Sequence, residues 1–354
     1  MLPYYLLIFA PVLPLFVRIK SNKEYYPNQS SMKLFFILLF FMLALRSIDV
    51  GRDLDNYRHI FNSFSEDSWA KIFSNTEEMS FAILNKLISV FTSNFQWVMI
   101  ICAVITIIPI GYIYIHENEN SMLTISLFIT MSTFIMLFSG IRQSIAIALG
   151  MIAYQMTKKK KLIPFLLISL LAFTFHRSAF MLIIMYPVYH AKIDKKKLLL
   201  VIPILGAVIV FNKQIFAFLA SWISDWYTTT VSNTGAYAML ILFAAFLVFS
   251  FLIPDDSLLD KEIIGLRNFL ILSLFIQMFA PLNYLAMRMN YYYIIFIPLL
   301  IPKIVNRSSS RWKQVAVVSQ YIMIIFFLSY FFISAPRTNS LDTFPYHFFW
   351  EASA

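Results

Sequence analysis

The apolar stretch Leu162–Ala191 has a lysine cluster at each end. Lys158, Lys159, Lys160 and Lys161 precede it, and Lys192, Lys195, Lys196 and Lys197 follow it. Lysine-rich loops stay on the cytoplasmic side of a membrane, so a chain with this pattern must enter the bilayer and return. Each arm of such a hairpin has about 14 residues, roughly 20 Å of helix at ~1.5 Å per residue. The hydrocarbon core is about 30 Å thick. His176, Arg177, Ser178 and Ala179 sit at the tip. The hairpin is therefore predicted to carry a histidine and an arginine well into the bilayer, toward the outer face. Ionisable residues at that depth are costly and mark function.

The rest of the chain repeats the alternation of apolar runs and basic loops. Hydrophobic residues make up 60% and charged residues 13% of the chain, with a mean hydropathy of +0.74, which excludes a soluble globular protein. The prediction is an all-α, polytopic transmembrane bundle, one domain over 1–354. The 37 Phe and 19 Tyr suit lipid-facing helices and interfacial belts. The net charge of +10 comes from short loops between apolar runs, which points to topology beside anionic lipid and not to nucleic acid. The single cysteine, Cys102, excludes disulfides and cysteine-based metal sites. Leu2–Val17 lacks a basic lead and a cleavage site and reads as a retained helix.

Orientation follows from the Lys/Arg bias. Leu2–Val17 runs inward to Arg18, Lys20, Lys23 and Lys33, and Leu34–Ile48 runs outward. Residues 49–94 form a long external segment rich in acid: Asp49, Asp53, Asp55, Glu66, Asp67, Glu77 and Glu78. Within it Ser80–Thr92 is apolar but carries Lys86, and reads as an interfacial helix or a partial insertion. Phe95–Ile115 returns inward, Ser121–Phe138 goes out and Ile141–Met156 comes back. His116–Asn120, between the first two of these, is placed inside although it holds no Lys or Arg. After the hairpin come Leu198–Leu219, an outer loop at Ser221–Thr234 with Asp225, Ala236–Ile253, Ile264–Ala286, Met289–Pro302 and Val315–Ile333. Counted with the hairpin as two, this is about 10–12 crossings, with an external tail over 334–354. Arg142, His176, Arg177 and Arg288 then share the outer face.

Several constellations there carry chemistry. In Ser139-Gly140-Ile141-Arg142-Gln143-Ser144 the glycine permits a tight turn, and the guanidinium can hold a diphosphate bidentately. The competing reading of Arg142 is a snorkelling side chain that sets helix depth. His176 can accept a proton from a sugar hydroxyl or hold that hydroxyl. Arg288, expected at an outer turn before Tyr291-Tyr292-Tyr293, is a second anion-binding candidate. The tyrosines suit sugar stacking or an interfacial belt. Asp53 and Asp55 could bind a sugar hydroxyl pair or form solvated surface; such a pair alone does not make a metal site. The aromatic tail with Tyr346 and His347 docks on the bundle or lies among headgroups. No Walker loop, dinucleotide fingerprint, HExxH or nucleophile elbow is present, which argues against ATP-driven transport and nicotinamide chemistry.

Gly51-Arg52-Asp53-Leu54-Asp55-Asn56-Tyr57, Gly140-Ile141-Arg142-Gln143 with Ala146 and Ala148, Phe175-His176-Arg177-Ser178-Ala179, Met287-Arg288-Met289 and Pro345-Tyr346-His347-Phe348-Phe349 occur in that order across most of the chain. In this order and spacing the chain resembles the EpsG-like branch of the Wzy-type polysaccharide polymerases. The family's Gly-x-Asp-x-x-x-Tyr lead carries two acids here, and the sequence does not choose between Asp53 and Asp55. The resemblance implies a plan similar to that of GT-C glycosyltransferases and O-antigen ligases. It implies a substrate too: oligosaccharide repeat units on undecaprenyl diphosphate, joined without metal or cofactor at the outer face of the bacterial inner membrane, with a chain-length regulator protein as a partner. His176, Arg142 and Arg288 would be catalytic. Arg177, Asp53, Asp55, Tyr57, Gln143, Tyr292, Tyr346 and His347 would contact the glycan. The product would be O-antigen, capsule or exopolysaccharide. An O-antigen ligase, or a flippase for lipid-linked sugars, are the alternatives. A transporter would show midplane polar groups and repeat symmetry, and no repeat is visible.

Overall fold

The computed structural model describes residues 1–16, 27–75, 78–193, 195–221, 235–339 and 341–351. Arg18, Lys20, Lys23, Glu77 and Asp225, invoked above, lie outside these residues, as does nearly all of the Ser221–Thr234 loop. The described residues are helical, with two isolated β-bridges and no strand. They pack as two compact units, Met1–Leu182 with Gln320–Ala354, and Ile183–Ser319.

The first unit contains α1 (Leu2–Phe9), α2 (Pro27–Ala44), α3 (Leu54–Glu66), α4 (Trp69–Asn75), α5 (Met79–Ser89), α6 (Gln96–Glu117), α7 (Ser121–Thr130), α8 (Ser132–Ser139), α9 (Ile141–Lys158) and α10 (Leu162–Phe175). Two sets of polar contacts define its ends. At one end Lys158 pairs with Glu117 at 2.8 Å, and Tyr154 and Gln155 donate to the same carboxylate at 3.1 and 2.6 Å. Ser121 Oγ donates to the Asn28 carbonyl at 2.8 Å at the starts of α7 and α2. The loop around Glu117, which has no base of its own, is thus at the lysine end, as expected. At the other end Gln96 Nε2 donates to the Ala44 carbonyl at 2.5 Å, so α2 and α6 are antiparallel.

The segment 49–94, expected outside, folds as α3, α4 and α5 instead of a loop with one helix. In α3 Leu54, Tyr57 and Phe61 are buried while Asp55, Arg58 and His59 are exposed, a 3.6-residue periodicity that short polar interruptions conceal. Its buried face joins Phe81 and Ile88 of α5, Phe95, Val98, Met99 and Cys102 of the α6 region, and Ile141 and Ile145 of α9 in one core.

The aromatic tail docks on this end. Arg46 and Phe348 form an antiparallel bridge, Ser47 N donates to the His347 carbonyl at 2.8 Å, and Phe349 N donates to Leu45 at 2.9 Å. Gly51 N donates to the Asp342 carbonyl at 2.9 Å, and Arg52 Nε pairs with the Asp342 carboxylate at 3.0 Å. Gly51 has φ +130°, and a Cβ there would meet the Phe138 carbonyl oxygen at 2.2 Å. Only glycine fits both constraints.

By length and apolarity α6 and the continuous helix Ser310–Thr338 can cross a membrane. Two broken pairs also qualify if each counts as one span, and shorter apolar helices, among them Leu162–Phe175 and Ala236–Leu252, accompany them. Only 17% of the apolar window in Ser310–Thr338 is buried, with Val318, Ile322, Ile325 and Phe326 exposed. Such a surface needs lipid, and the chain is a membrane protein.

Three spans differ from expectation. Ser121–Phe138 is bent by 62° between α7 and α8, with Met131 extended at the break. The second arm of the Leu162–Ala191 hairpin is not a matching α-helix: Arg177–Ile184 is a 3₁₀ helix, followed by a short α-helix at Met185–His190. At ~2.0 Å per residue the 3₁₀ portion stretches this arm to about 25 Å. The turn expected beside Arg288 lies earlier, at Met278–Asn283. Pro281 interrupts the helix there, and Asn283 caps the next one by accepting from Leu285 N at 2.8 Å.

In the second unit the helices Lys261–Gln277, Tyr284–Ile294 and Ile297–Asn306 form the core, the last two meeting at a 45° bend. Its basic loops gather at one end. Lys303 pairs with Glu262 at 2.8 Å, and Asp255 N donates to the Arg307 carbonyl at 2.8 Å. Asn268 donates to the Ala191 carbonyl at 2.7 Å, beside Lys192.

Gly51→Ala is expected to lose roughly 1–3 kcal/mol of stability, through left-handed strain and the Phe138 clash. Thermal unfolding in detergent checks this, and an unchanged midpoint would show that the Gly51–Asp342 junction is dispensable.

Candidate functional site

The loop Lys159–Lys161 makes α9 and α10 an antiparallel pair. The lysines lie at one end, Arg142 begins α9 at the other, and His176 follows the last residue of α10. At about 1.5 Å per residue α9 is ~27 Å long, so the two groups stand a bilayer-scale distance from the lysine turn. His176 leaves the helix in extended backbone (φ −155°, ψ 123°).

Arg142 lies in the first turn of α9, where the helix dipole disfavours a cation and no acid from α9 itself compensates. The compensating acid is Glu78, the residue before α5. Its Oε2 pairs with Arg142 Nη1 at 2.5 Å. Its Oε1 lies 2.7 Å from His176 Nδ1 and 3.4 Å from the Arg177 backbone N–H, which donates to it. The Glu78 side chain is only 12% exposed. Burial alone would push its carboxyl up, but the His176 hydrogen bond and charge, with the Arg142 guanidinium, outweigh that and hold it below the ordinary glutamate range. Ser80 and Thr174 share a hydrogen bond of 2.7 Å that ties α5 to α10 beside the cluster.

The Arg142 guanidinium lies over the rings of Tyr57 and Phe81, at 5.2 and 5.9 Å, and its Nε donates to the Tyr57 hydroxyl at 3.4 Å. Burial pushes the Tyr57 phenol up despite that neighbour. Asp53 and Ser139 exchange two contacts: Ser139 Oγ donates to Asp53 Oδ2 at 2.9 Å and accepts from the Asp53 N–H at 3.2 Å. Gln143 Nε2 donates to Ser178 Oγ at 3.2 Å, joining the start of α9 to the residues after His176.

Of the residues singled out from sequence, Arg142, His176, Arg177, Tyr57, Gln143 and Asp53 therefore gather at one end of the first unit. Asp55 does not join them; it points outward from α3 and pairs with Arg58 at 2.5 Å. Tyr346 is a core residue, its hydroxyl donating to the Met42 carbonyl at 2.9 Å. His347 lies at the surface of the docked tail, 3.7 Å from Glu351. Arg288 and Tyr292 belong to the second unit. Arg288 lies within a helix, over the Tyr284 ring at 5.1 Å, and Tyr292 is fully buried. That helix begins at Asn283, so neither sits at the outer turn expected for them. Among the described residues no group of three or more His, Cys, Asp or Glu gathers as metal ligands would.

Glu78 joins the cluster without having been marked by the sequence. In the sequence it is one of several acids in a segment read as external loop, and its only distinguishing mark is its place just before the apolar run that becomes α5. Ser139 and Ser178 were visible only as motif neighbours. Leu84, Leu87 and Ile88 of the same α5, Phe91 just after it, and Trp97 and Ile101 of α6 line an apolar groove of about 500 Å³.

The model of the EpsG family matches residues 31–348, which include every member of this cluster. No curated relative and no solved structure matches the chain.

Because the Glu78 carboxyl is held below its ordinary value, its stabilising effect is present above that value and is lost as pH falls through the folded one. The gap in melting temperature between wild type and Glu78→Gln is therefore expected to be widest at neutral pH and to close in acid. A gap of constant width would show that Glu78 does not act through its charge. Asp53→Ala is expected to cost about 1 kcal/mol, from the Ser139 contacts. Asp55→Ala, which removes only a surface pair, should cost ~0.5 kcal/mol or less. Chemical denaturation compares them directly.

Proposed function

The chain belongs to the EpsG family, and we propose that it is a membrane glycosyltransferase that polymerises oligosaccharide repeat units carried on a polyprenyl diphosphate. The observation that carries this reading is the meeting of Arg142 and His176 in one partly exposed cluster, at the end of α9 and α10 opposite the lysine turn. With the lysines cytoplasmic, the cluster faces outward, where a repeat unit already moved across the inner membrane would arrive.

The chemistry asks for what these residues offer. A hydroxyl of the incoming unit attacks the anomeric carbon of the growing chain, and the lipid diphosphate leaves. Diphosphate is a good leaving group, and the charge that develops on it is stabilised by a preorganised guanidinium in a site poor in water. Arg142 supplies that group at a helix N-terminus, where an anion is also favoured by the backbone N–H groups. His176 takes or positions the proton of the attacking hydroxyl. Tyr57 and Gln143 pack beside Arg142 and His176, and the half-buried Asp53 supplies a hydrogen-bonding group for sugar. The groove along α5 and α6 has a volume in the ordinary range for ligand sites, and its apolar lining suits an isoprenoid tail whose headgroup lies toward Glu78.

Expressed in a strain lacking the gene, wild-type protein is expected to restore a ladder of long surface glycan on gels. Arg142→Ala and His176→Ala are expected to leave single-unit product at normal membrane abundance. Removing the Arg142 guanidinium should slow polymerisation by roughly 10²–10³-fold, the usual effect of deleting an anion-stabilising donor. A full ladder from either well-expressed variant would move the active site elsewhere. Complete loss of surface glycan on deletion of the gene would favour a ligase or a transporter.

A further inference from the structure

Glu78 contacts both Arg142 and His176, and glycosyl transfer by Arg142 and His176 leaves it without a task. Its geometry supplies one. A carboxylate accepting from Nδ1–H holds a neutral imidazole in the tautomer whose lone pair is on Nε2. The 2.7 Å contact to Oε1 therefore leaves Nε2 as the nitrogen able to take a proton. The charged groups that face His176 are Glu78 directly, Arg142 across Glu78, and the neighbouring Arg177, whose side chain is exposed while its backbone N–H shares Oε1. Asp53, the other acid near Arg142, is engaged by Ser139. One carboxylate thus serves both the base and the arginine.

We propose that Glu78 is a positioning residue that sets the tautomer of His176 and, by yielding Arg142 to the donor's diphosphate, couples donor binding to activation of the acceptor. This rests on the polymerase reading above. In the ground state the Glu78 charge is divided between Arg142 and His176. When phosphate oxygens take over Arg142, the Oε2 contact is given up and the carboxylate acts on His176 alone. The acceptor O–H then passes its proton to Nε2 while its oxygen forms the bond to the anomeric carbon. The bond from that carbon to the diphosphate oxygen breaks, and its electron pair departs with the diphosphate, held by Arg142. The imidazolium left behind lies against the Glu78 carboxylate until it returns its proton to water. The Ser80–Thr174 hydrogen bond keeps α5 and α10 together during the exchange.

The test is a double-mutant comparison with purified full-length protein in lipid nanodiscs. The substrate is the polyprenyl-diphosphate-linked repeat unit extracted from a host strain lacking this gene. Glu78→Gln is expected to lower kcat by about 10-fold or more, by analogy with carboxylates that orient functional imidazoles, with KM within about threefold. Glu78→Asp should recover part of that loss. In the His176→Ala background Glu78→Gln should cost nothing further, because residues that act as a unit are not additive. If Glu78→Gln costs the same factor with and without His176, or raises KM alone, Glu78 acts only structurally or on binding and the proposal is overturned while the polymerase stands. Wild-type protein that forms no glycosidic bond from this substrate would overturn the polymerase reading itself.

Discussion

A carboxylate taken out of water carries a penalty of several kcal/mol unless charges and donors meet it. Glu78 meets that requirement with groups from two separate helices. Arg142 alone would be a cation at the positive end of a helix dipole, and Glu78 alone would be a buried anion. Each makes the other tolerable, and the His176 imidazole and the Arg177 N–H complete the coordination of the second oxygen. The packing of α5 against α10, and of α3 beneath Arg142, brings these four groups within hydrogen-bonding distance. Local rules are broken here in a way that only convergence repairs, which is what functional clusters look like in folded chains.

The antiparallel pair α9 and α10 gives the cluster its place. Its turn is three lysines, which resist crossing a bilayer, and its open end holds Arg142 and His176. Glu117 ties α6 to the lysine end through Lys158, and Gln96 ties the start of α6 to the end of α2. The first unit is thus sorted into a basic end and an end that holds the Glu78 cluster. At the cluster end the tail Leu341–Phe349 lies across Leu45–Arg52 and holds the turn at Gly51, from which Asp53 reaches Ser139. Within the second unit, the Lys303–Glu262 pair and the Ala191–Asn268 contact bring the basic loops to one end.

Much of this was legible in the sequence. Lysine clusters at both ends of Leu162–Ala191, long apolar runs and few charges determine a helical membrane protein, because lipid forces each backbone segment to satisfy its own hydrogen bonds and charge asymmetry sets the sides. The motifs around Gly51, Arg142 and His176 were visible as short polar islands beside apolar runs. Broken spans were harder to see: Pro281 and Asn283 outweighed the apolar continuity of Ile264–Ala286, and Met131 carries no marker of the bend it occupies.

Sequence alone therefore determined the class of fold, its membrane setting and most of the polar cluster, because composition and charge act locally along the chain. Tertiary structure decided which acids join the cluster. Asp53 and Asp55 are two residues apart, and only the packing of α3 turns one toward Ser139 and the other toward solvent. It also brought in Glu78 and put Tyr346 and Tyr292 in cores. A side chain's partners are set by which helix faces meet, and no pattern within a single segment of this chain records that meeting.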